Sequence, residues 1–349
     1  MPSTTRRPAV AAVLALLVSL TMTVAWPSAP ARAASTFTNP IATNAPDPQI
    51  TYVNGYYYLL STGLDKIQIK RSPTLVGLGA AQVKTVFNAQ PFTGYTVDIW
   101  APEMHRIDNK WYIYFTGAPS SFFGFSTEHR LFVLENTSAD PFSGTWVNKG
   151  RIVTPGGDHW AIDGTVFTNN GKRYLAWSGR ASTFDFVSRI YLAEMSSPTT
   201  LTGPRVLLSS PTATWETQGT AVDEAPYVVK RNGRLFMTFS GSNCTTDDYA
   251  LGLLTAGEYS NLLDPASWVK TQGPVFTKNP AQNVYGPGHN SIFRAADGTD
   301  WLAYHANNGP EQSCGTNRNL HVQRITYDTL GAPVFGAPTT SAQQAPAGE

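Results

Sequence analysis

The chain has 349 residues, 42% of them hydrophobic and 12% aromatic, with only 14% charged and a formal net charge of +1. Such a length supports a sizeable packed core, and so balanced a charge excludes nucleic acid or an anionic membrane as the partner. Many Trp, Tyr and Phe beside few charges suit a cleft for a neutral polymer such as a polysaccharide, although most of these rings must belong to strand cores.

Residues 1–33 read as a secretory signal peptide. Arg6 and Arg7 give the positive start, an apolar run covers 9–24, and Ala31-Arg32-Ala33 is a small-x-small cleavage site. The run is short and broken by Thr21 and Thr23, which argues against a membrane anchor. Cleavage removes three arginines and no acid, leaving a secreted chain with a slight acidic excess.

From residue 34 to 338 one pattern is written five times. The copies open on Asp47-Pro48-Gln49-Ile50, Ala101-Pro102-Glu103-Met104, Asp163-Gly164-Thr165-Val166, Glu224-Ala225-Pro226-Tyr227 and His289-Asn290-Ser291-Ile292. Each then runs through a turn dipeptide: Asn54-Gly55, Asp108-Asn109, Asn170-Gly171, Asn232-Gly233 or Asp297-Gly298. Four copies close on Thr62-Gly63, Thr116-Gly117, Ser178-Gly179 and Ser240-Gly241, and the fifth on His305-Ala306. Asn-Gly and Asp-Gly between apolar runs signal hairpins. Further alternating stretches, such as Arg130 to Leu134 and Arg189 to Ala193, supply the remaining strands. A period of about sixty residues in an all-β pattern predicts a five-bladed β-propeller, closed by N-terminal residues around Phe37 to Ile41. Cys244 and Cys314, alone in an exported chain and placed after blades four and five, predict one disulfide. Residues 339–349, polar and poor in large apolar side chains, predict a disordered tail.

Equivalent positions in a propeller face one axis, so Asp47, Asp163 and Glu224, at the openings of three inner strands, should converge on one cleft. A lone acid there would serve as readily as a strand cap. Three together suit glycoside hydrolysis, in which one carboxyl protonates the leaving oxygen and another acts at the anomeric carbon directly or through water. A third carboxylate raises the acid's pKa by like-charge repulsion. Asp98 and Glu103 are lesser candidates, and alternation turns Glu103 away from the axis. The other histidines show no metal-ligand spacing.

The segments Ala45-Pro46-Asp47-Pro48, Asp98-Ile99-Trp100-Ala101-Pro102-Glu103, Trp160-Ala161-Ile162-Asp163-Gly164-Thr165, Asp223-Glu224-Ala225-Pro226 and Gly286-Pro287-Gly288-His289-Asn290-Ser291 closely resemble glycoside hydrolase family 43. The resemblance implies a five-bladed propeller and an inverting reaction needing no cofactor. It implies that Asp47 is the general base, Asp163 the residue tuning pKa and orientation, and Glu224 the general acid. Trp100 matches a wall of the sugar subsite. Arg318, in Asn317-Arg318-Asn319-Leu320, matches a sugar-contacting arginine or pairs structurally with an acid. His289 matches an axial residue that ligates a largely water-held calcium or other ion, or it is a hydrogen-bonded core histidine. Where many members have Gly-Pro after the acid this chain has Ala225-Pro226, and alanine still permits an extended conformation. The finer likeness is to secreted exo-acting α-L-arabinofuranosidases on 1,5-linked arabinan, implying an arabinose-containing plant cell-wall polysaccharide or oligosaccharide as partner; the chain is expected to act as a monomer. A β-xylosidase, an endo-arabinanase and a non-catalytic sugar-binding propeller are the alternatives.

Overall fold

Four of the five hairpins turn through two residues that both sit in the left-handed region. Asn54 and Gly55 have φ of 53° and 81°, and the same holds at Asp108-Asn109, Asn170-Gly171 and Asn232-Gly233. These turns match the right-handed twist of the strands they join, which is why Asn and Gly recur there. The fifth copy differs. Its strands, Tyr285–Arg294 and Asp300–Asn307, are joined by a longer loop in which only Gly298 has a positive φ.

The chain, seen in a computed structural model, is described for residues 1–4, 35–119, 128–154, 156–315 and 317–349. Apart from its first four residues, the expected signal peptide lies outside the described residues. The rest forms five antiparallel blades of sequential strands, with two further two-stranded sheets outside them. The inner strands are Gln49–Val53, Val97–Ile107, Ala161–Asn169, Asp223–Arg231 and Tyr285–Arg294. Four blades hold four strands from consecutive sequence. The fifth draws three from its own stretch, and residues 39–42 add the outer one: Ile41 N–H donates to the Leu320 carbonyl at 2.9 Å, and Leu320 N–H to that of Ala42 at 2.8 Å. The expected closure therefore holds, and it removes a sheet edge.

The apolar residues gather in five clusters, one between each pair of neighbouring blades. Tyr58, Leu60 and Ile69 of blade one pack on Met104, Ile113 and Phe115 of blade two. Phe293, Trp301 and Val322 of blade five pack on Ile50, Tyr57 and Leu59 of blade one, with Phe37. Strands with two packed faces explain the near-continuous apolar runs of the second strands, such as Trp111 to Ala118, all buried.

The tail departs from expectation. Gln343–Gln344 pair antiparallel with Thr36–Phe37, and Ala345 is buried in the cluster between blades five and one. The Glu349 carboxylate accepts from Leu75 N–H at 2.7 Å. Its polar composition reads as solvated; its order comes from backbone bonds to a segment some three hundred residues away in sequence.

Candidate active site

All five inner strands are distorted at the same place. Asp47, Ala101, Asp163, Ala225 and His289 have φ of 55°, 44°, 55°, 52° and 45°, and the four residues within named strands lie at breaks in the ladder register. Non-glycine residues rarely adopt this conformation, and here it recurs five times about one axis. Each distorted backbone N–H is held by a side chain near or just beyond the end of the second strand of the preceding blade. Thr62 Oγ1 accepts from Ala101 at 2.8 Å, Thr116 Oγ1 from Asp163 at 3.3 Å, and Ser178 Oγ from Ala225 at 3.0 Å. Ser240 Oγ accepts from His289 at 2.9 Å, and His305 Nδ1 from Asp47 at 3.2 Å. The repeated Ser/Thr-Gly ending of the sequence pattern is this latch, and His305 is its fifth member.

The alignment corrects two expectations. Glu224 is not at the position equivalent to Asp47 and Asp163; Ala225 is, and Glu224 precedes it. Ala225 is not extended but left-handed, a conformation costing an L-residue about 1–2 kcal/mol. Two hydrogen bonds to its N–H, from Ser178 and from Asp163 Oδ2 at 3.2 Å, hold it there. Asp163 thereby grips the peptide following Glu224.

Asp47, Asp163, Glu224, Trp100, His289, Arg318, Leu64, Ile162 and the Cys244–Cys314 disulfide line one pocket of about 210 Å³. The residues singled out by the family resemblance thus meet, whereas the lesser candidates Asp98 and Glu103 do not line the pocket. Burial alone pushes Asp47 up, but the Arg318 guanidinium outweighs it, and the carboxyl is held well below the ordinary range. Arg318 donates through Nη1 to Asp47 Oδ1 at 2.7 Å and through Nη2 to Oδ2 at 3.4 Å. Thr62 Oγ1 donates to Oδ2 at 2.6 Å. His289 and His305 each bring Nδ1 to 3.2 Å from Oδ1. Burial lowers both histidines, His305 to about 3, so the charge that keeps Asp47 ionised is that of Arg318.

The other two acids are pushed the opposite way. Burial, then Glu224, then Asp47 raise Asp163 well above the ordinary range. Burial raises Glu224 to about 7, with Asp47 adding to the effect and the Tyr249 hydroxyl opposing it. The pair keeps a proton at a pH where an isolated carboxyl has lost it. One ionised carboxylate thus faces a protonated pair, the division of labour that general acid–base catalysis requires.

The Trp100 ring stacks on His129, with centroids 4.4 Å apart and 24° between planes. His129 Nδ1 accepts from Trp160 Nε1 at 3.2 Å, which makes Nε2 the donor toward Asp98 Oδ2 at 3.1 Å. Asp98 therefore supports the wall from behind. Glu103 sits 3.0 Å from His105 Nε2 and does not line the pocket. Two residues escaped the sequence reading: His305, visible only as the break in the Ser/Thr-Gly ending, and Tyr249, whose Oη donates to Glu224 Oε1 at 2.9 Å. Among the described residues no three His, Cys, Asp or Glu side chains are grouped to hold a metal ion. His289 turns Nδ1 to Asp47 and offers an ion one imidazole nitrogen.

A propeller carrying one ionised carboxylate and one protonated acidic pair in a sugar-sized pocket defines a glycoside hydrolase. A sequence model of the glycosyl hydrolases family 43 matches residues 37–333, and the chain belongs to that family. It is similar to the extracellular exo-alpha-(1->5)-L-arabinofuranosidase of Streptomyces avermitilis, 40% identical over 94% of this chain and 69% of that one. The protein of the same name from Streptomyces chartreusis is 43% identical over 77% of this chain and 82% of that one. The crystal structure of an alpha-L-arabinofuranosidase from Lactobacillus brevis superposes with a TM-score of 0.82 at 38% identity, covering 87% of this chain and 98% of that one.

Proposed function

We propose that the protein is a secreted, exo-acting α-L-arabinofuranosidase that releases arabinose from 1,5-linked arabinan with inversion. The carrying observation is the meeting, in one buried pocket, of Asp47 paired with Arg318 and of Glu224 beside Asp163, an arrangement that favours opposite charge states for the two sides. Asp47 takes a proton from the attacking water, and Glu224 gives its proton to the glycosidic oxygen of the leaving chain. Asp163 shares a proton with Glu224 and orients it through the Ala225 amide. Trp100 stacks against the sugar, and the N–H groups of Arg318 not committed to Asp47 meet its hydroxyls. No cofactor enters this chemistry. An axial ion, which the family resemblance implies, would have His289 as its protein ligand, held through water, and no step requires it.

The names of the relatives support arabinofuranose as the sugar, and a pocket of about 210 Å³ is small beside the roughly 300–1,000 Å³ of clefts that take drug-sized ligands. It suits one sugar ring, hence attack at a chain end. Among the described residues no helix is long and apolar enough to cross a membrane. Residues 1–33 serve as the removable export signal, and the mature chain works as a monomer. Chromatography of early products from a linear arabino-oligosaccharide tests the reading. Arabinose plus the chain shortened by one is expected. Internal fragments would indicate endo attack, and release of xylose from xylo-oligosaccharides without any arabinose would make the enzyme a β-xylosidase.

A further inference from the structure

We propose that Tyr249 is a positioning residue for the reaction: its hydroxyl selects the oxygen of Glu224 that carries the catalytic proton, while its ring ties Glu224 to the Asp47 side of the pocket. The inference rests on the reading of Glu224 as general acid.

The Tyr249 side chain is almost wholly buried and donates from Oη to Glu224 Oε1 at 2.9 Å. Its ring lies flat on His305, with centroids 5.5 Å apart and planes 4° from parallel. His305 Nδ1 in turn sits 3.2 Å from Asp47 Oδ1. One phenol and one imidazole therefore span from acid to base. The room for the phenol is reserved elsewhere in the sequence: a Cβ at Gly288 would lie 2.2 Å from Tyr249 Cε1. The loop leading to Tyr249 is fastened by the Cys244–Cys314 disulfide to the loop that carries Arg318.

A phenol whose own ionisation is suppressed by burial and by Glu224 acts toward that carboxyl only as a donor. With Oε1 occupied by the Tyr249 proton, the proton of the acid resides on Oε2. That proton passes to the glycosidic oxygen as the C–O bond breaks, and the carboxylate left behind is stabilised by the same Tyr249 bond, now charge-assisted. The other charged groups bearing on Glu224 are Asp47, Asp163 and Asp223, which favour its protonated form, and Arg318, which favours the ionised one. Removing the hydroxyl both frees the proton to sit on either oxygen and takes away a stabiliser of the carboxylate.

Tyr249→Phe keeps the ring, its stack on His305 and its fit over Gly288. The measurement is kcat/KM against pH, on an aryl α-L-arabinofuranoside with a good leaving group and on a linear arabino-oligosaccharide with a poor one. The expected result is a loss on the order of tenfold on the oligosaccharide, a smaller loss on the aryl glycoside, and an alkaline limb moved to higher pH. Rates and limbs matching the wild type, or an equal loss on both substrates with the limb unmoved, would overturn the inference. Glu224→Gln run in parallel separates the two claims. If it lacks the dependence on leaving group, the acid assignment fails and the inference with it. If it behaves as an acid knockout while Tyr249→Phe matches the wild type, the inference alone fails.

Discussion

Asp47 and Glu224 carry the same chemical group, and their surroundings hold them in opposite charge states. Arg318 supplies the cation at Asp47; burial and neighbouring acids govern Glu224. Asp47→Asn and Glu224→Gln should each lower turnover of an oligosaccharide by roughly 10²–10⁴-fold, the usual worth of a general acid or base. Near-normal turnover in either variant would remove its assignment. The pH profile of kcat/KM should have an acid limb below the ordinary carboxyl range, set by Asp47, and an alkaline limb near 7, set by the Asp163–Glu224 pair. Without Arg318, burial dominates at Asp47, so Arg318→Ala should move the acid limb upward and cost at least about tenfold in kcat/KM, since a charged hydrogen bond is worth roughly 1.5–3 kcal/mol. The same raised pKa values act on stability. A folded-state pKa of about 7 for Glu224, above its unfolded value near 4.5, makes folding stability decline as pH rises through that window. Glu224→Gln should therefore raise the melting temperature at pH 8 relative to the wild type, with the gain shrinking as pH falls toward 5; a gain that stays constant with pH would contradict this account. The identity of the acids is legible in the sequence because carboxyls at repeat openings are conspicuous. Their charge states are not, since Arg318 and Asp47 meet only across the ring closure.

At the scale of the element, the unit of construction is a strand pair with a left-handed residue where its inner strand nears the axis, latched by the blade before it. The latch explains why four copies end in Ser or Thr followed by Gly, a signature plain in the sequence whose purpose is invisible there. A two-residue repeat cannot reveal that its hydroxyl bonds an amide in the next blade some forty residues on, as Thr62 does with Ala101. Thr116→Val keeps the shape of the side chain but leaves the buried Asp163 N–H unpaired, which should cost about 1–3 kcal/mol in denaturant unfolding. It should also lower activity, because Asp163 is the residue whose backbone the latch holds. A variant as stable as the wild type would show that the latch contributes nothing. The disulfide works at the same level, tying the loops after the second strands of blades four and five at the pocket's rim. Its replacement by serines should destabilise by about 2–4 kcal/mol and loosen the loops bearing Tyr249 and Arg318.

On the scale of the whole molecule, five clusters between blades leave no single centre, so the ring is only as sound as its closure. Residues 39–42 complete blade five, and Asn39 reinforces the seam by accepting from Val322 N–H at 2.9 Å and donating to the Val322 carbonyl at 2.8 Å. The C-terminal residues 343–349 then pair with Thr36–Phe37 and cover the joint. Deleting 343–349 should lower the melting temperature measured by circular dichroism. An unchanged melting temperature would mean that the terminal pairing adds nothing to the closure.

The sequence by itself determined the five-fold repeat, the hairpins, the three acids, the closing N-terminal segment and the paired cysteines. Each is carried by local turn chemistry or by residues whose type is rare in such a place. Tertiary structure alone decided the offset of Glu224 from the repeat position, the left-handed Ala225, the ordered tail, and the roles of His305 and Tyr249. All of these depend on contacts between blades or between chain ends. Such contacts bring together residues far apart in sequence, and no local pattern records which amide a hydroxyl will meet or which cation will neutralise a buried acid.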